Sequence, residues 1–356
     1  MKEIIELLIY HNENFPLWQI QDVYKLLYQN EFGSEHMLGS FEETYKYLEN
    51  EYSSIEVREE ASFVPIGSGL VRLNLHSAKT KGWPMRVINR LFHMVALGSS
   101  GSLDSFQQKL TIVRALCQSE MLPFATTEWD SFITEQEHNS FPAMRHSATY
   151  RESYQPAYRL ACEGDMYLLP FLIKLEDLYL QLGKKCLAID GRSTAGKTSL
   201  AARLAGVYDA AVVHMDDFFL PRSMRTKDRL DEPGGNVHYE RFLEEVAPSL
   251  TKEIVFNYHR FDHQLMDLGE VIVVPNKKLT IVEGAYAMRP ELRQYYDLTL
   301  FLDIAPEEQL QRLKLRCGEN SPRLAMFQQL WIPLEEKYIS AYDLTRQCDL
   351  VLRQLS

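Results

Sequence analysis

The sequence has no apolar stretch that reaches the ~18 residues needed to span a bilayer, so no membrane partner is predicted. Its first residues, MKEIIELLIY, carry acidic side chains within a short apolar stretch and are followed by no small-residue cleavage site. They predict an amphipathic helix and not a signal peptide. Cysteine is scarce, with 5 residues and no CxxC pair, which favours reduced thiols in a cytoplasmic protein over disulfides or a cysteine zinc site.

Clusters of positive charge are also missing. The chain has 38 Lys and Arg against 49 Asp and Glu, a formal net charge of -11, and no long basic run. Because nucleic-acid backbones are bound by clustered cations, this balance argues against a nucleic-acid partner. What is present is a hydrophobic share of 46% and a charged share of 24%, typical of globular domains. The length of 356 residues predicts two such domains.

The two halves of the chain differ in sequence pattern. Residues 1–165 show helical spacing of apolar residues, which predicts a mostly α-helical accessory domain of unknown function. Residues 166–183 predict a linker helix. From residue 184 to 356, short apolar runs alternate with amphipathic segments; the runs are CLAID, AAVVHM, EIVFNY, VIVV, LTIVEG and LTLFLDI. That alternation predicts an α/β fold with a mainly parallel sheet flanked by helices.

The strongest motif is GRSTAGKT, which fits G-x-x-x-x-G-K-S/T in full and follows a predicted strand. Its glycines let the backbone curl around an anion, and the helix that follows adds about half a positive charge. Lys197 is expected to reach the phosphates of ATP, and Thr198 to place its hydroxyl on Mg²⁺. The predicted nucleotide-binding residues are Gly191, Arg192, Ser193, Thr194, Ala195, Gly196, Lys197, Thr198 and Ser199. The alternative is a glycine-rich turn that binds nothing.

Three carboxylates follow predicted strands of the second half. Asp216 and Asp217 come after residues 210–215, and Glu283 comes after residues 279–282. The carboxyl ends of parallel strands form the ligand-binding edge of such a sheet. We expect Asp216 to be the base for an acceptor hydroxyl, Asp217 a water-mediated metal contact and Glu283 a holder of Mg²⁺. The alternative for each carboxylate is a cap on a turn or a helix.

These segments together resemble the uridine kinase, phosphoribulokinase and nicotinamide riboside kinase branch of the P-loop kinases. The resemblance spans residues 184–356 and is carried by GRSTAGKTS, HMDDFFLP, RTKDRLDEPGGNVHYERF and IVEGAYAM. It implies a P-loop NTPase fold, ATP and Mg²⁺ as cofactors, and transfer of the γ-phosphoryl group to a hydroxyl of a nucleoside-like small molecule. Asp216 then matches the acceptor-side aspartate of the family, and Glu283 matches its Walker-B acid.

The resemblance also implies residues outside these motifs. Arg312 and Arg316 follow LTLFLDI, where the family has its mobile lid, and would offset the charge developing during transfer, with Arg316 in the catalytic role. Tyr258 and Arg260 stand where the family grips its nucleoside or sugar. His238 replaces an aspartate that uridine-kinase-like sequences often carry, and a neutral imidazole cannot hold a ribose diol, so the acceptor stays open. A solvated basic face and core packing of Tyr258 are the alternatives.

Other functions are also compatible with the sequence. One is an ATP-dependent switch or binding protein in which nucleotide occupancy regulates the first domain. Another adds separate chemistry around His36 and His146, although no metal-ligand spacing supports it. Tyr150, Tyr154 and Tyr158 recur every four residues, which predicts one helix that stacks them on one side. The sequence leaves open a homo-oligomeric state and the choice between ATP and GTP.

Overall fold

The structure is a computed structural model that describes residues 2–34, 39–96 and 101–353 of the chain. Two compact units are present, Met1–Leu169 and Pro170–Ser356. The first is mostly helical and the second is an α/β unit, which confirms the fold class predicted from the sequence. Within the described ranges, no helix has the length and apolar character required to cross a membrane.

The first unit combines helices with one small antiparallel sheet. Its described helices are α1 (Lys2–Asn14), α2 (Ile20–Phe32), α3 (Phe41–Ser54), α4 (Leu75–Thr80), α5 (Met85–Ala96), α6 (Leu103–Gln118), α7 (Thr126–His138) and α8 (Ala148–Tyr154). Its strands are β1 (Phe63–Gly67), β2 (Leu70–Asn74) and β3 (Tyr158–Cys162), paired in the order β1-β2-β3. The expected single helix through Tyr154 and Tyr158 is wrong. The helix ends because Gln155 has φ 44° and precedes Pro156, which disfavours helical backbone before it.

His146, singled out in the sequence, lies in a buried hydrogen-bond network of the first unit. Its Nδ1 is 2.8 Å from Asp22 Oδ1, and its Nε2 is 2.8 Å from the Tyr158 hydroxyl. Asp22 also accepts hydrogen bonds from the amide and the hydroxyl of Ser147, at 3.0 and 2.6 Å. Burial lowers the pKa of His146 to about 3, so the ring is neutral and donates to Asp22. These mutual contacts indicate a structural role; His36, its proposed companion, lies outside the described residues.

We expect the first unit to lose stability as the pH falls from 7 to 5. His11 is buried as well, with Nε2 3.0 Å from the Pro65 carbonyl oxygen, and burial lowers its pKa to about 3. His11 and His146 start from an ordinary pKa of 6.5, so below that pH the unfolded chain binds protons that the folded unit excludes. The stabilisation is complete above pH 6.5 and is lost as the pH falls towards 3. At pH 5 the loss reaches up to ~2 kcal/mol per histidine.

Urea unfolding followed by tryptophan fluorescence measures this loss, because Trp18, Trp83 and Trp129 of the 4 tryptophans belong to the first unit. His11→Gln keeps a hydrogen-bond donor but cannot titrate in this range. The variant is expected to show about half of the acid-induced loss of unfolding free energy. A loss equal to that of the parent chain would contradict the role of His11.

The second unit contains a parallel sheet with helices around it. Its main sheet has five strands in the order β10-β9-β4-β8-β5, namely β4 (Lys185–Gly191), β5 (Ala211–His214), β8 (Leu279–Glu283), β9 (Leu298–Asp303) and β10 (Leu350–Arg353). All four neighbouring pairs are parallel. The inner strands read as continuous apolar runs because both faces of the sheet are covered, and every residue of β8 is buried.

The helices of the second unit are mostly short. They are α9 (Leu169–Leu180), α10 (Lys197–Tyr208), α11 (Lys227–Asp231), α12 (Tyr239–Glu245), α13 (Ala247–Leu250), α14 (Pro306–Cys317), α15 (Pro322–Met326), α16 (Ile332–Ala341) and α17 (Leu344–Gln347). A π-helical turn, Phe327–Trp331, joins α15 to α16. Pro333 lies in the first turn of α16, lacks an N–H and crowds the carbonyl four residues earlier, which accounts for the wider turn.

Two of the six apolar runs, EIVFNY and VIVV, do not join the parallel sheet. They contribute to β6 (Phe256–Asp262) and β7 (Asp267–Val274), which pair antiparallel as a separate two-stranded ribbon. In β6, Phe256, Tyr258 and Phe261 are buried and the polar residues between them are exposed. That pattern fits a ribbon with one face on the core better than a central strand covered on both faces.

Candidate active site

The loop between β4 and α10 has the curled backbone that its sequence predicts. Gly191 has φ 144° and Gly196 has φ 89°, conformations that L side chains rarely adopt. A Cβ atom at Gly191 would lie 2.1 Å from the Leu302 carbonyl oxygen, so only glycine fits there. Gly196 precedes the first turn of α10 without a side-chain cap. The amide N–H groups of that turn are therefore available for an anion.

Lys197 and Thr198 are the first two residues of α10, and each contacts a different part of the site. Lys197 Nζ donates to the carbonyl oxygens of Gly191 and Arg192, at 2.7 and 3.0 Å. Thr198 Oγ1 lies 3.1 Å from both carboxylate oxygens of Glu283, the last residue of β8. The sheet itself brings this pair together, because β8 is a direct neighbour of β4.

His214 completes the Glu283 environment, and sequence reasoning missed it. Its Nδ1 is 2.6 Å from Glu283 Oε1, and the two residues face each other in the register of β5 and β8. The hydrogen bond to Glu283 raises the pKa of His214. A histidine at the end of β5 predicts a contact with Glu283 only when the pairing of β5 with β8 is known.

Thr198 and Glu283 fit a magnesium ion. Both offer hard oxygen donors, and Mg²⁺ in nucleotide sites is held by one or two carboxylates together with phosphate oxygens and water. Among residues 2–34, 39–96 and 101–353, no group of three or more His, Cys, Asp and Glu could hold a metal by itself. The remaining ligands would therefore come from the nucleotide and from solvent.

Asp216 shares one cleft with Lys197 and Glu283. The cleft has a volume of about 690 Å³, and Asp216 lies exposed in the turn that follows β5. Desolvation by the cleft walls raises the pKa of Asp216, the Glu283 and Asp217 carboxylates add to the shift, and Lys197 opposes it. A carboxylate whose pKa is raised towards neutral pH is better suited to act as a general base.

The cleft brings together most of the residues predicted for nucleotide binding and transfer. Those that line it are Ser193, Thr194, Gly196, Lys197, Thr198, Ser199, Asp216, Glu283, Arg312 and Arg316. Gly191, Arg192 and Ala195 belong to the same loop but are not among its described lining residues. Arg312, on α14, also donates to the Thr194 carbonyl oxygen at 3.2 Å. The helix after β9 therefore supplies two arginines to the cleft, and their predicted role in a mobile lid stays a prediction.

Four predicted residues lie elsewhere. Asp217 is buried and accepts hydrogen bonds from the Tyr258 hydroxyl at 2.8 Å and from Arg260 Nε at 3.2 Å. His238 caps α12, where its Nδ1 accepts from the Arg241 amide at 3.2 Å. None of them is among the described residues that line the cleft, so the roles predicted for these four residues stay predictions. Asp216 and Asp217 share one tight turn and point to different surroundings.

Other residues of the cleft were not predicted. They include Phe219, Asn236, His263, Tyr286, Arg323, Phe327, Trp331 and Glu335. The sequence contains a pattern that could have indicated four of them. Positions 323, 327, 331 and 335 recur every four residues through α15, the π-helical turn and α16. The Trp331 and Phe219 rings lie 6.1 Å apart between centroids, so this helical segment supplies an aromatic wall. Turns of the π type occur often at functional sites.

The comparisons with known proteins found similar solved structures only. No family model matches the chain, and a search of the curated proteins finds no match. The structure of a possible uridine kinase from Bacillus stearothermophilus is 21% identical and covers 51% of this chain and 96% of its own, with a TM-score of 0.40. Phosphoribulokinase from Rhodobacter spheroides is 13% identical and covers 48% of this chain and 70% of its own, with a TM-score of 0.34.

The alignments with these two solved structures span about half of this chain. The parallel sheet and the GRSTAGKT loop between its central strand and α10 define an α/β protein of the P-loop type.

Proposed function

We propose that this chain is an ATP-dependent kinase that transfers the γ-phosphoryl group to a hydroxyl of a small, nucleoside-like acceptor. The observation that carries the proposal is a single cleft shared by Lys197, the Thr198–Glu283 pair and Asp216. At about 690 Å³, this cleft has the size range of small-molecule sites. Phosphoryl transfer is catalysed mainly by positioning and by charge stabilisation, and these residues supply both.

The loop and the first turn of α10 form the donor side of the proposed site. Their amide N–H groups bind the phosphates, and Lys197 adds a positive charge that turns from the loop carbonyls to the phosphate oxygens. Thr198 and Glu283 would hold Mg²⁺, which would neutralise phosphate charge. Arg312 and Arg316 enter the same cleft from α14 and offset the negative charge that develops during transfer.

Asp216 and the aromatic wall form the acceptor side. The acceptor oxygen loses its proton to Asp216 and forms a bond to the γ-phosphorus, while the bond to the β–γ bridging oxygen breaks and ADP leaves. Phe219, Phe327 and Trp331 offer ring faces on which a planar base can stack. These aromatic residues support a nucleoside-like acceptor over a simple sugar.

An assay of ADP release with a panel of nucleosides, vitamins and sugars tests the proposal. We expect at least one acceptor to raise ADP release clearly above the rate with ATP·Mg²⁺ alone, and its phosphorylated product to appear in equal amount. The non-hydrolysable analogue AMP-PNP with Mg²⁺ is expected to raise the melting temperature, because it binds the folded state only. A panel in which no acceptor stimulates ADP release would count against a kinase.

A further inference from the structure

A buried carboxylate accepts hydrogen bonds from the proposed phosphate-binding loop. Glu335, on α16, accepts hydrogen bonds from the Ser193 hydroxyl at 2.5 Å and from the Ser193 amide at 3.0 Å. Glu335 is 7% exposed and Ser193 is 8% exposed, so these bonds are shielded from water. Burial raises the pKa of the Glu335 carboxyl, whereas attraction to Lys197 opposes the shift. The Ser193 amide is therefore already occupied, as is the Ala195 amide, which donates to the Arg192 carbonyl oxygen at 3.2 Å.

The neighbouring carboxylate provides a natural comparison. Glu336 accepts from Arg192 Nε at 2.6 Å and from its second terminal nitrogen at 2.9 Å, but it does not line the cleft. Arg192 has a further partner in Asp303, so loss of Glu336 leaves its charge paired. Two adjacent residues of α16 thus bind two adjacent residues of the loop. Glu335 does so inside the cleft and Glu336 outside it.

Holding an anion next to a triphosphate site has an electrostatic cost, since the two negative charges repel each other. We expect a gain in loop order to offset this repulsion, and the contacts of Ser193 indicate how the gain arises. Ser193 lies between Gly191 and Gly196, the two glycines of the loop with positive φ, and its carbonyl oxygen accepts a hydrogen bond from Gln309 Nε2 at 3.2 Å. The amide and the hydroxyl of Ser193 both donate to Glu335, and these two hydrogen bonds keep the curl formed before the nucleotide arrives, which reduces the entropy lost on binding.

We propose that Glu335 is a positioning residue whose carboxylate fixes Ser193 and so preorganises the loop for the triphosphate. This inference rests on the proposed function for its nucleotide but not for its structural part. Trp331 lies one helical turn before Glu335 and lines the same cleft, so the segment that meets the acceptor side also sets the loop.

Three substitutions separate the contact from the charge. Glu335→Ala removes both. Glu335→Gln removes the charge; its one carbonyl oxygen can still accept from the Ser193 amide, and its NH₂ group can donate to the Ser193 hydroxyl oxygen. Glu335→Asp keeps the charge, but its side chain is one methylene shorter and cannot reach Ser193 in the same way. Glu336→Ala is the matched control on the same helix. The measurements are the affinity for AMP-PNP with Mg²⁺ by calorimetry and amide hydrogen exchange of residues 191–196 in the free protein, with thermal unfolding to show that each variant folds.

We expect Glu335→Ala and Glu335→Asp to speed exchange in the loop and to weaken AMP-PNP binding about tenfold, the scale of one lost buried hydrogen bond. Glu335→Gln and Glu336→Ala are expected to stay within about twofold of the parent chain, since neither leaves a buried group of the loop unpaired. Unchanged loop exchange in both Glu335→Ala and Glu335→Asp, or a Glu335→Gln variant as impaired as Glu335→Ala, would overturn the proposal. If the parent chain fails to bind AMP-PNP, the proposed function is wrong, while loop exchange still decides the role of Glu335.

Discussion

Lys197→Ala is expected to lower kcat/KM for phosphoryl transfer by ~10²–10³-fold, the scale of losing one preorganised charge-stabilising group. Lys197 lies in the cleft beside Asp216 and Glu283, and no other lysine is among the described residues that line it. Its loss also removes two hydrogen bonds to loop carbonyls, so we expect weaker AMP-PNP binding as well as slower transfer. Steady-state kinetics and calorimetry measure the two effects separately.

Lys277→Ala is a suitable control for this experiment. Lys277 pairs with Asp209 at 2.7 Å, both residues belong to the second unit, and Lys277 does not line the cleft. Pairs of this partly exposed kind contribute ~0–1 kcal/mol to stability, so kcat/KM is expected to stay within about twofold. If Lys197→Ala retained full nucleotide affinity and turnover, the loop would not bind a triphosphate as proposed.

Asp216→Asn is expected to lower kcat by ~10²–10⁴-fold, the usual contribution of a general base. Asparagine has nearly the same shape but cannot take the proton of the acceptor hydroxyl. Because Asp216 is exposed in the cleft and the phosphate loop does not depend on it, affinity for AMP-PNP is expected to change little. The comparison of kcat with affinity also separates a kinase from a nucleotide-dependent switch, which has no need of the base.

Asp217→Asn gives the matched comparison one residue away. The Asp217 carboxylate faces Tyr258 and Arg260 and not the cleft, so we expect the variant to act mainly on the free energy of unfolding. Removing the charge from a buried, hydrogen-bonded carboxylate costs ~1–3 kcal/mol. Equal losses of kcat in the two variants would show that position in the cleft does not identify the base.

The contrast between these two aspartates shows where sequence reasoning reaches its limit. Both follow the same apolar run, and both stand at the expected edge of the sheet. Which of them reaches the cleft depends on the turn Met215–Phe218 and on the ribbon that places Tyr258 against Asp217. Side-chain direction in an irregular turn has no period, so no pattern in the sequence predicts it.

Local chemistry was readable from the sequence. The phosphate loop needs glycine at fixed positions, a lysine and a hydroxyl, all within eight consecutive residues, and strand ends deliver Asp216 and Glu283 to one edge. Glu335 and His214 carry no such local signature. Each acts through a partner far away in the chain, Ser193 for one and Glu283 for the other.

The sequence alone therefore determined the α/β class, the position of the GRSTAGKT loop and the two carboxylates at the ends of strands, because these depend on backbone periodicity and on contiguous residues. Only the tertiary structure decided which side chains share the cleft with them. In the structure, Asp217, His238, Tyr258 and Arg260 make other contacts, and residues of α15 and α16 line the cleft. Such contacts depend on how segments far apart in the sequence pack together, and no local pattern of residues specifies that packing.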